Sequence, residues 1–337
     1  MKLYFTFLIL LSPLILVAQR RDQNMPLTGS SYFGIQFDDD FLFIGNRDEQ
    51  YTGGMEFEFL RQFQEKKEKR GLFNPFSHGQ RTFSSAVGSY LHTPYNVSDS
   101  SIILNDRPFS SYMYLEMGYL AYSQDRRQRF SLELYLGMMG AELPGKIQEA
   151  VHTIGDSPPA NGWQNRIAQH KRFIPNLKLN YQNTLFNAGG FDVLGFHWIQ
   201  LRSIWELQGG LYFNGLSGGL MVLADNQKPD EKGRFDPPFI KTGKDDQLPK
   251  WRIRPFFSGE LQLVAHNTSL QSLPWMDSPY IIETHIMNRA VWVLEGGIML
   301  TKGRFHAAYK VQSRSKEFKK YIPDWHTWAG MTIGWVF

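Results

Sequence analysis

Cysteine is absent from this chain of 337 residues. That removes disulfide staples, thiolate metal sites and cysteine nucleophiles together. Long apolar runs are missing after residue 19, so a second membrane-spanning helix is excluded. Mean hydropathy is −0.35, too low for a polytopic helical membrane protein. An excess of one charge is missing as well: 36 basic against 32 acidic side chains leave +4, too mild to argue for nucleic acid. What is present is unusual in combination. Aromatic residues reach 15% and glycine numbers 30, too many aromatics for a disordered chain, on a polar average.

Met1 and Lys2 precede an apolar stretch from Leu3 to Ala18, with Pro13 inside it, and Gln19-Arg20-Arg21 follow. A charged start, a short apolar core and a small residue near its end predict a secretory signal peptide over residues 1–19. An uncleaved membrane anchor is the competing reading. On the first, the exported protein begins near Arg20 and is either a β-rich secreted protein or an outer-membrane β-barrel.

A period of two decides between them. Phe130, Leu132, Leu134, Leu136 and Met138 alternate with Arg129, Ser131, Glu133 and Tyr135. Phe305, Ala307, Tyr309 and Val311 alternate with Arg304, His306, Lys310 and Gln312, and Met55, Phe57 and Phe59 alternate with Glu56 and Glu58. Such segments are strands with one apolar and one polar face. Several run past ten residues, longer than sandwich strands and long enough to cross a bilayer at a tilt. Trp251, Tyr181, Tyr119, Trp325 and Trp335 stand near strand ends, as interfacial girdles require, and the chain closes on Trp335-Val336-Phe337.

Candidate strands fall near 31–38, 53–61, 81–92, 110–123, 127–141, 171–187, 190–206, 207–223, 251–266, 289–301, 303–315 and 324–337. The expectation is an all-β fold: an antiparallel transmembrane β-barrel of about twelve strands over residues 20–337, with a short helix in an outer loop. It must close, because an open edge in lipid leaves backbone groups unpaired. With strand one running outward, the long gaps after strands one, three, five and nine fall on the outer side, while those after strands two and eight fit less neatly.

Chemistry concentrates in the polar loops. Asp38-Asp39-Asp40 places three carboxylates in a row, followed by Asp48-Glu49-Gln50-Tyr51-Thr52-Gly53-Gly54. A solvated acidic turn is the simpler account; a cation among them is the other, and hard oxygens at this density suit Ca²⁺ better than Zn²⁺. In the stretch Gly145 to Ile154, Ile147, Val151 and Ile154 recur at helical spacing, predicting a short amphipathic helix laid on an apolar surface. Gln148 and His152 are four apart and share a face, which makes His152 the best candidate base among the nine histidines. Gly215-Leu216-Ser217-Gly218-Gly219 matches the nucleophile-elbow pattern but lies inside a predicted strand, where the required strand-turn-helix context is missing.

Four segments in order resemble the lipid A 3′-O-deacylase family, the LpxR-type outer-membrane barrels. They are Phe37-Asp38-Asp39-Asp40; Asp48-x-x-Tyr51-Thr52-x-Gly54; Asp106-Arg107-Pro108-Phe109; and Gln148-x-x-x-His152 followed by Pro159-x-x-Gly162-Trp163-x-Asn165. Where the family carries Asn-Asp, this chain has Asp38-Asp39. The resemblance implies a Ca²⁺-dependent esterase at the outer rim of a barrel, removing the 3′-linked acyloxyacyl chain of lipid A. It implies His152 as the base that activates water, Gln148 as its orienting neighbour and Asp38 as a third catalytic group. It further implies Asp39, Asp40 and Thr52 as calcium ligands, and Arg107 as the nearest match to a basic substrate-binding residue. The partners implied are lipopolysaccharide and the membrane, with no nucleic acid, for a monomer in the outer membrane. Two other readings stay open: a non-enzymatic barrel acting as pore or lipid-binding scaffold, and a phospholipase-type barrel with a serine nucleophile.

Overall fold

A computed structural model describes residues 31–40, 42, 53–63, 75–76, 79–154, 157–227, 251–320 and 324–337. The signal-peptide segment 1–19, Asp48 to Tyr51, and Thr52 lie outside the described residues.

Twelve antiparallel strands close into one barrel, each bonded to its neighbours in chain order and the first to the last. They are β1 (Ser31–Asp39), β2 (Gly53–Phe63), β3 (Gly79–His92), β4 (Ser110–Ser123), β5 (Gln128–Met139), β6 (Arg172–Val193), β7 (Phe196–Gly210), β8 (Phe213–Asp225), β9 (Arg252–Asn267), β10 (Ala290–Lys302), β11 (Phe305–Ser315) and β12 (Trp325–Val336). The seam runs from Tyr32 opposite Val336 to Asp39 opposite Ala329. At its end Phe337 N–H donates to Ser31 O at 2.8 Å and Ser31 N–H to Phe337 O at 3.0 Å.

The alternation read from the sequence is the alternation of the wall. Phe33 and Ile35 on β1, Phe57 on β2, Leu216 and Leu220 on β8, and Ile333 and Trp335 on β12 face outward and are exposed, as an apolar belt against lipid requires. Their neighbours face inward on a lumen cavity of about 570 Å³, lined among others by Glu56, Glu116, Glu133, Lys178, Glu206 and Lys310. Lys178 Nζ stands 3.0 Å from Glu133 and 3.8 Å from Glu206, so part of the charge in the lumen is paired.

Two turns lie elsewhere than the sequence reading put them. The candidate strands 171–187 and 190–206 put a short turn at 187–190, which contains Gly189 and Gly190. Both glycines instead lie inside β6, at a register irregularity between Gly189 and Val193. The chain reverses at Leu194-Gly195, whose φ values of 55° and 80° are the positive pair a tight hairpin needs. The next reversal comes at Leu211-Tyr212 rather than 206–207, so β7 ends at Gly210 and β8 starts at Phe213. Gly215 to Gly219 lies within β8, with Ser217 bonded to Glu260, and the strand continues to Asp225.

Loops after odd-numbered strands gather at one end of the barrel, and loops after even-numbered strands at the other. The strand ends that border the long gaps after strands two and eight, Phe63 and Asp225, lie at the end away from the acidic triplet, so these two gaps stay at odds with the short turns expected there. At the odd-loop end, residues 93–109, 140–171, 268–289 and 316–320 interlock into a cap. Met139, Ile167, Ala168, Ile174 and Met276 form one buried cluster under it, and Leu270, Ile282, Met287 and Phe318 another. The expected helix is present as α1 (Glu142–Ile154), and it packs on the ends of β3 and β4.

Candidate active site

Alternation splits the acidic triplet. Asp38 faces the lumen, where Gln36 Nε2 donates to its Oδ2 at 3.0 Å and Lys310 Nζ stands 3.7 Å away. Asp39, one residue on, turns to the outer face of the wall. Asp40 follows the end of β1 and is buried. Opposite Asp39 is Gly53, whose missing side chain leaves a hollow. A Cβ there would lie 3.1 Å from the Asp38 carbonyl oxygen and 3.4 Å from Asp39 Oδ2. Two hard oxygens therefore flank a space that only glycine leaves empty, and this donor chemistry fits Ca²⁺. Among the described residues no group of three or more histidine or carboxylate side chains is placed to hold a metal ion.

One row of the sheet leads from this hollow to the helix. Asp39 pairs with Gly53, Gly53 with Leu91, and Leu91 with Ser111. Leu91 is two strand steps from Asp39, about 10 Å. Leu91 and Ser111 face outward by alternation yet are buried, which is explained by α1 lying over them. Ser111 Oγ donates to the Ala141 carbonyl at 2.7 Å and Gly140 N–H to the Ser111 carbonyl at 3.0 Å, fixing the start of the helix on the wall.

The face of α1 turned to the wall is not the one the apolar spacing predicted. Pro144, Gly145, Gln148 and His152 are buried, whereas Leu143, Ile147 and Val151 are exposed. This corrects the expectation that the apolar stripe packs inward. The reason lies in the partners that the cap supplies to the polar stripe. Pro158 O accepts from His152 Nδ1 at 2.5 Å. A carbonyl can only accept, so Nδ1 carries the proton and the lone pair lies on Nε2. Trp163 Nε1 donates to Gln148 Oε1 at 2.9 Å. An indole N–H can only donate, so it sets the orientation of the amide. Gln148 Nε2 is then a buried donor without a hydrogen-bond partner among the described residues. A base and an unused donor thus stand one helical turn apart on the buried face of α1.

The remaining motif residues build the support. Phe109 meets Trp163 edge-on, with ring centroids 5.1 Å apart. Gly145 lets the indole lie against α1, since a Cβ there would come within 2.9 Å of the ring. Asp106 accepts from the backbone N–H of Tyr95 at 2.8 Å and of Arg107 at 2.6 Å. Burial pushes its carboxyl up to about 6. Arg107 is 2% exposed; its guanidinium bonds to Glu317 and, at 2.8 Å, to Ser269 Oγ. Burial opposes ionisation of Glu317, but Arg107 and Arg314 beside it hold the carboxyl below its ordinary range. The structure thus gives Arg107 partners inside the cap, linking three loops.

Asp39, Gln148 and His152 share the outer face of the wall; Asp38 and Arg107 do not join them. Trp163, Gly53 and Glu317 carry parts of the arrangement that sequence reasoning left without a role. The Gly162-Trp163 pair was a visible signal, but nothing in the spacing named Gln148 as its acceptor.

The family described as "Outer membrane protein LpxR" matches residues 3–337. Among solved structures, "LpxR from Salmonella typhimurium" superposes with a TM-score of 0.69 at 17% identity, covering 91% of this chain and all of that one (100%). The β-domain of the Bordetella autotransporter BrkA aligns with a TM-score of 0.44 at 6% identity, over 90% of this chain and 98% of that one. No curated protein matches the chain.

Proposed function

The chain belongs to the LpxR outer-membrane protein family, and from that premise we propose that it is a Ca²⁺-dependent esterase removing the 3′-linked acyloxyacyl chain of lipid A. The observation that carries this reading is the buried donor Gln148 Nε2, held by Trp163 one turn from His152.

In this reading a water at His152 Nε2 loses its proton as its oxygen attacks the ester carbonyl carbon. Charge develops on the carbonyl oxygen, and Gln148 Nε2 donates to it. Collapse of the tetrahedral intermediate breaks the bond to the sugar oxygen. His152 returns its proton to that oxygen, leaving a free 3′-hydroxyl and a carboxylic acid. Pro158 O holds the ring in the tautomer that both proton transfers need. Asp39 and the Asp38 carbonyl would hold Ca²⁺ beside Gly53, with Asp40 and Thr52 the other ligands that the resemblance implies. Bound there, the ion supplies Lewis-acid polarisation of the ester carbonyl. Asp38 acts in this scheme through its backbone, its carboxylate being engaged with Gln36 and Lys310. Arg107 acts on the substrate side by holding the cap in place.

Purified protein incubated with lipid A, with Ca²⁺ or with a chelator, tests this by mass spectrometry of the products. The expected result is loss of one acyloxyacyl unit with calcium alone, and loss of that activity by about a hundred- to ten-thousandfold in His152→Ala. Intact lipid A in the presence of calcium would refute it.

A further inference from the structure

The lumen is layered by charge. Glu56, Glu116, Glu133, Glu206 and Glu295 face its middle, with Lys178 and Lys310 among them. Nearer the even-loop end the charge is mostly basic. Arg129 on β5 lines the cavity there, and Arg202 on β7 shares the inward parity of Glu206 and Gln208, which line it too. Arg252 and Arg254 on β9 stand at the same end beside the buried Asp225.

These arginines are not served alike. Arg252 and Arg254 have Asp225, and Arg314 at the other end has Glu317. Arg129 and Arg202 form no ion pair among the described residues; Glu58, on the same cavity, attracts Arg129 without reaching contact. The Nε of each is buried and has no hydrogen-bond partner among the described residues. Gln200 Oε1 accepts from Arg202 Nη2 at 2.7 Å, which leaves the Nε edge of that guanidinium unused. A guanidinium cannot shed its charge, and burying it without a counter-charge is costly.

The two arginines converge. Tyr122 is opposite Arg129, Arg129 is opposite Gln182, and Arg202 is opposite Thr184, two residues beyond Gln182. Four successive strands thus supply Tyr122, Arg129, Gln182 and Arg202. The backbones of the two arginines are two strand steps apart, about 10 Å, and their side chains reach inward far enough to repel each other, with Tyr122 beside them. Like charges held together with spare N–H donors are complementary to an oxyanion, whose several oxygens suit guanidinium forks. We propose that Arg129 and Arg202 hold a small oxyanion of the phosphate type in the lumen, with the Tyr122 hydroxyl and the Gln182 amide as neutral donors. The carboxylates of the middle layer repel it from the outer half of the lumen. The closed wall bars a lipid headgroup from entering sideways, so the ligand comes from solution at the even-loop end. This site stands apart from Asp39, Gln148 and His152 and does not depend on the esterase reading.

The test is equilibrium dialysis of the full-length protein against radiolabelled phosphate, at ionic strength held constant with chloride. The protein is refolded into detergent with the phosphate present, so that access to the lumen does not limit the result, and barrel closure is checked by heat-dependent gel mobility. The parent is expected to bind a single phosphate saturably. Arg129→Gln and Arg202→Gln are each expected to weaken binding about ten- to a hundredfold, the loss of one charge-assisted contact. Lys146→Gln, which removes an exposed cation on α1, should bind as the parent does. No saturable binding by the parent overturns the proposal, and so does equal binding by the parent and the two arginine variants. Should those variants fail to close, crystals of the parent grown with selenate decide the matter. A selenium anomalous peak between Arg129 and Arg202 supports the site, and its absence there overturns it.

Discussion

Trp163 holds Gln148 by one hydrogen bond, its indole Nε1 donating to Oε1 at 2.9 Å, and so decides which end of the amide is left as a donor. Without that donor the amide is free to rotate and present its oxygen, which repels a developing oxyanion. Trp163→Phe keeps the ring against Phe109 and Gly145 but removes the N–H. It is expected to lower kcat about tenfold with little change in KM, and Gln148→Met to lower it about a hundred- to a thousandfold. Steady-state rates on lipid A, with barrel closure checked by heat-dependent gel mobility, separate the two effects from misfolding.

Gly53 carries a prediction about the metal. A methyl group at that position meets the Asp38 carbonyl at 3.1 Å and Asp39 Oδ2 at 3.4 Å. Gly53→Ala fills the hollow and is expected to raise the calcium concentration needed for half-maximal activity by about ten- to a hundredfold, the size of effect seen when the surroundings of metal ligands are disturbed. The maximal rate at saturating calcium should recover most of the parental value. A calcium titration that overlays the parent would remove Asp39 and its neighbours from the site.

Arg107 and Glu317 form a buried pair that joins the loops after β3 and β11. Glu317→Gln leaves a buried guanidinium without its counter-charge, which costs about 3–5 kcal/mol locally. The expected result is faster proteolysis of residues 93–109 with the twelve-stranded wall intact. Arg107→Leu with Glu317→Leu, which removes both charges, is expected to recover much of the protection. Limited proteolysis followed by mass spectrometry reads both.

Asp106 makes the cap pH-dependent. Its carboxyl is raised by burial from 3.8 to about 6. Between those values the folded state holds a proton that the unfolded chain has released. The contribution of this group to stability is therefore largest below the lower value and declines as pH rises through about 6. Cleavage of residues 93–109 is expected to be slower at about pH 5 than near neutrality, and Asp106→Asn to flatten that dependence. Equal pH dependence in the two proteins would assign the effect to another group.

The strands were legible because alternation is local: each apolar residue such as Phe57 between Glu56 and Glu58 declares its face without reference to the rest of the chain. Turns were less legible. Gly189-Gly190 has turn composition but continues a strand, since the pairing of β6 with β7 persists across it, and Leu194-Gly195 supplies the reversal. At the site, His152 and Gln148 could be paired from helical spacing alone. Which way they faced could not, because the apolar residues of the same helix argued for the opposite orientation.

By itself the sequence determined the class of fold and the composition of its two surfaces. A polar average with many aromatics and no cysteine is what alternating lipid-facing and lumen-facing residues produce. Only the tertiary structure decided how the acidic triplet divides, with Asp38 committed to the lumen beside Lys310 and Asp39 to the outer wall beside Gly53. It also decided that α1 turns its polar stripe inward. The physical reason is the same in both cases. The deciding partner stands outside the local sequence pattern: closure of the barrel brings Lys310 on β11 to Asp38 on β1, and the fold of the chain after α1 brings Pro158 and Trp163 to His152 and Gln148.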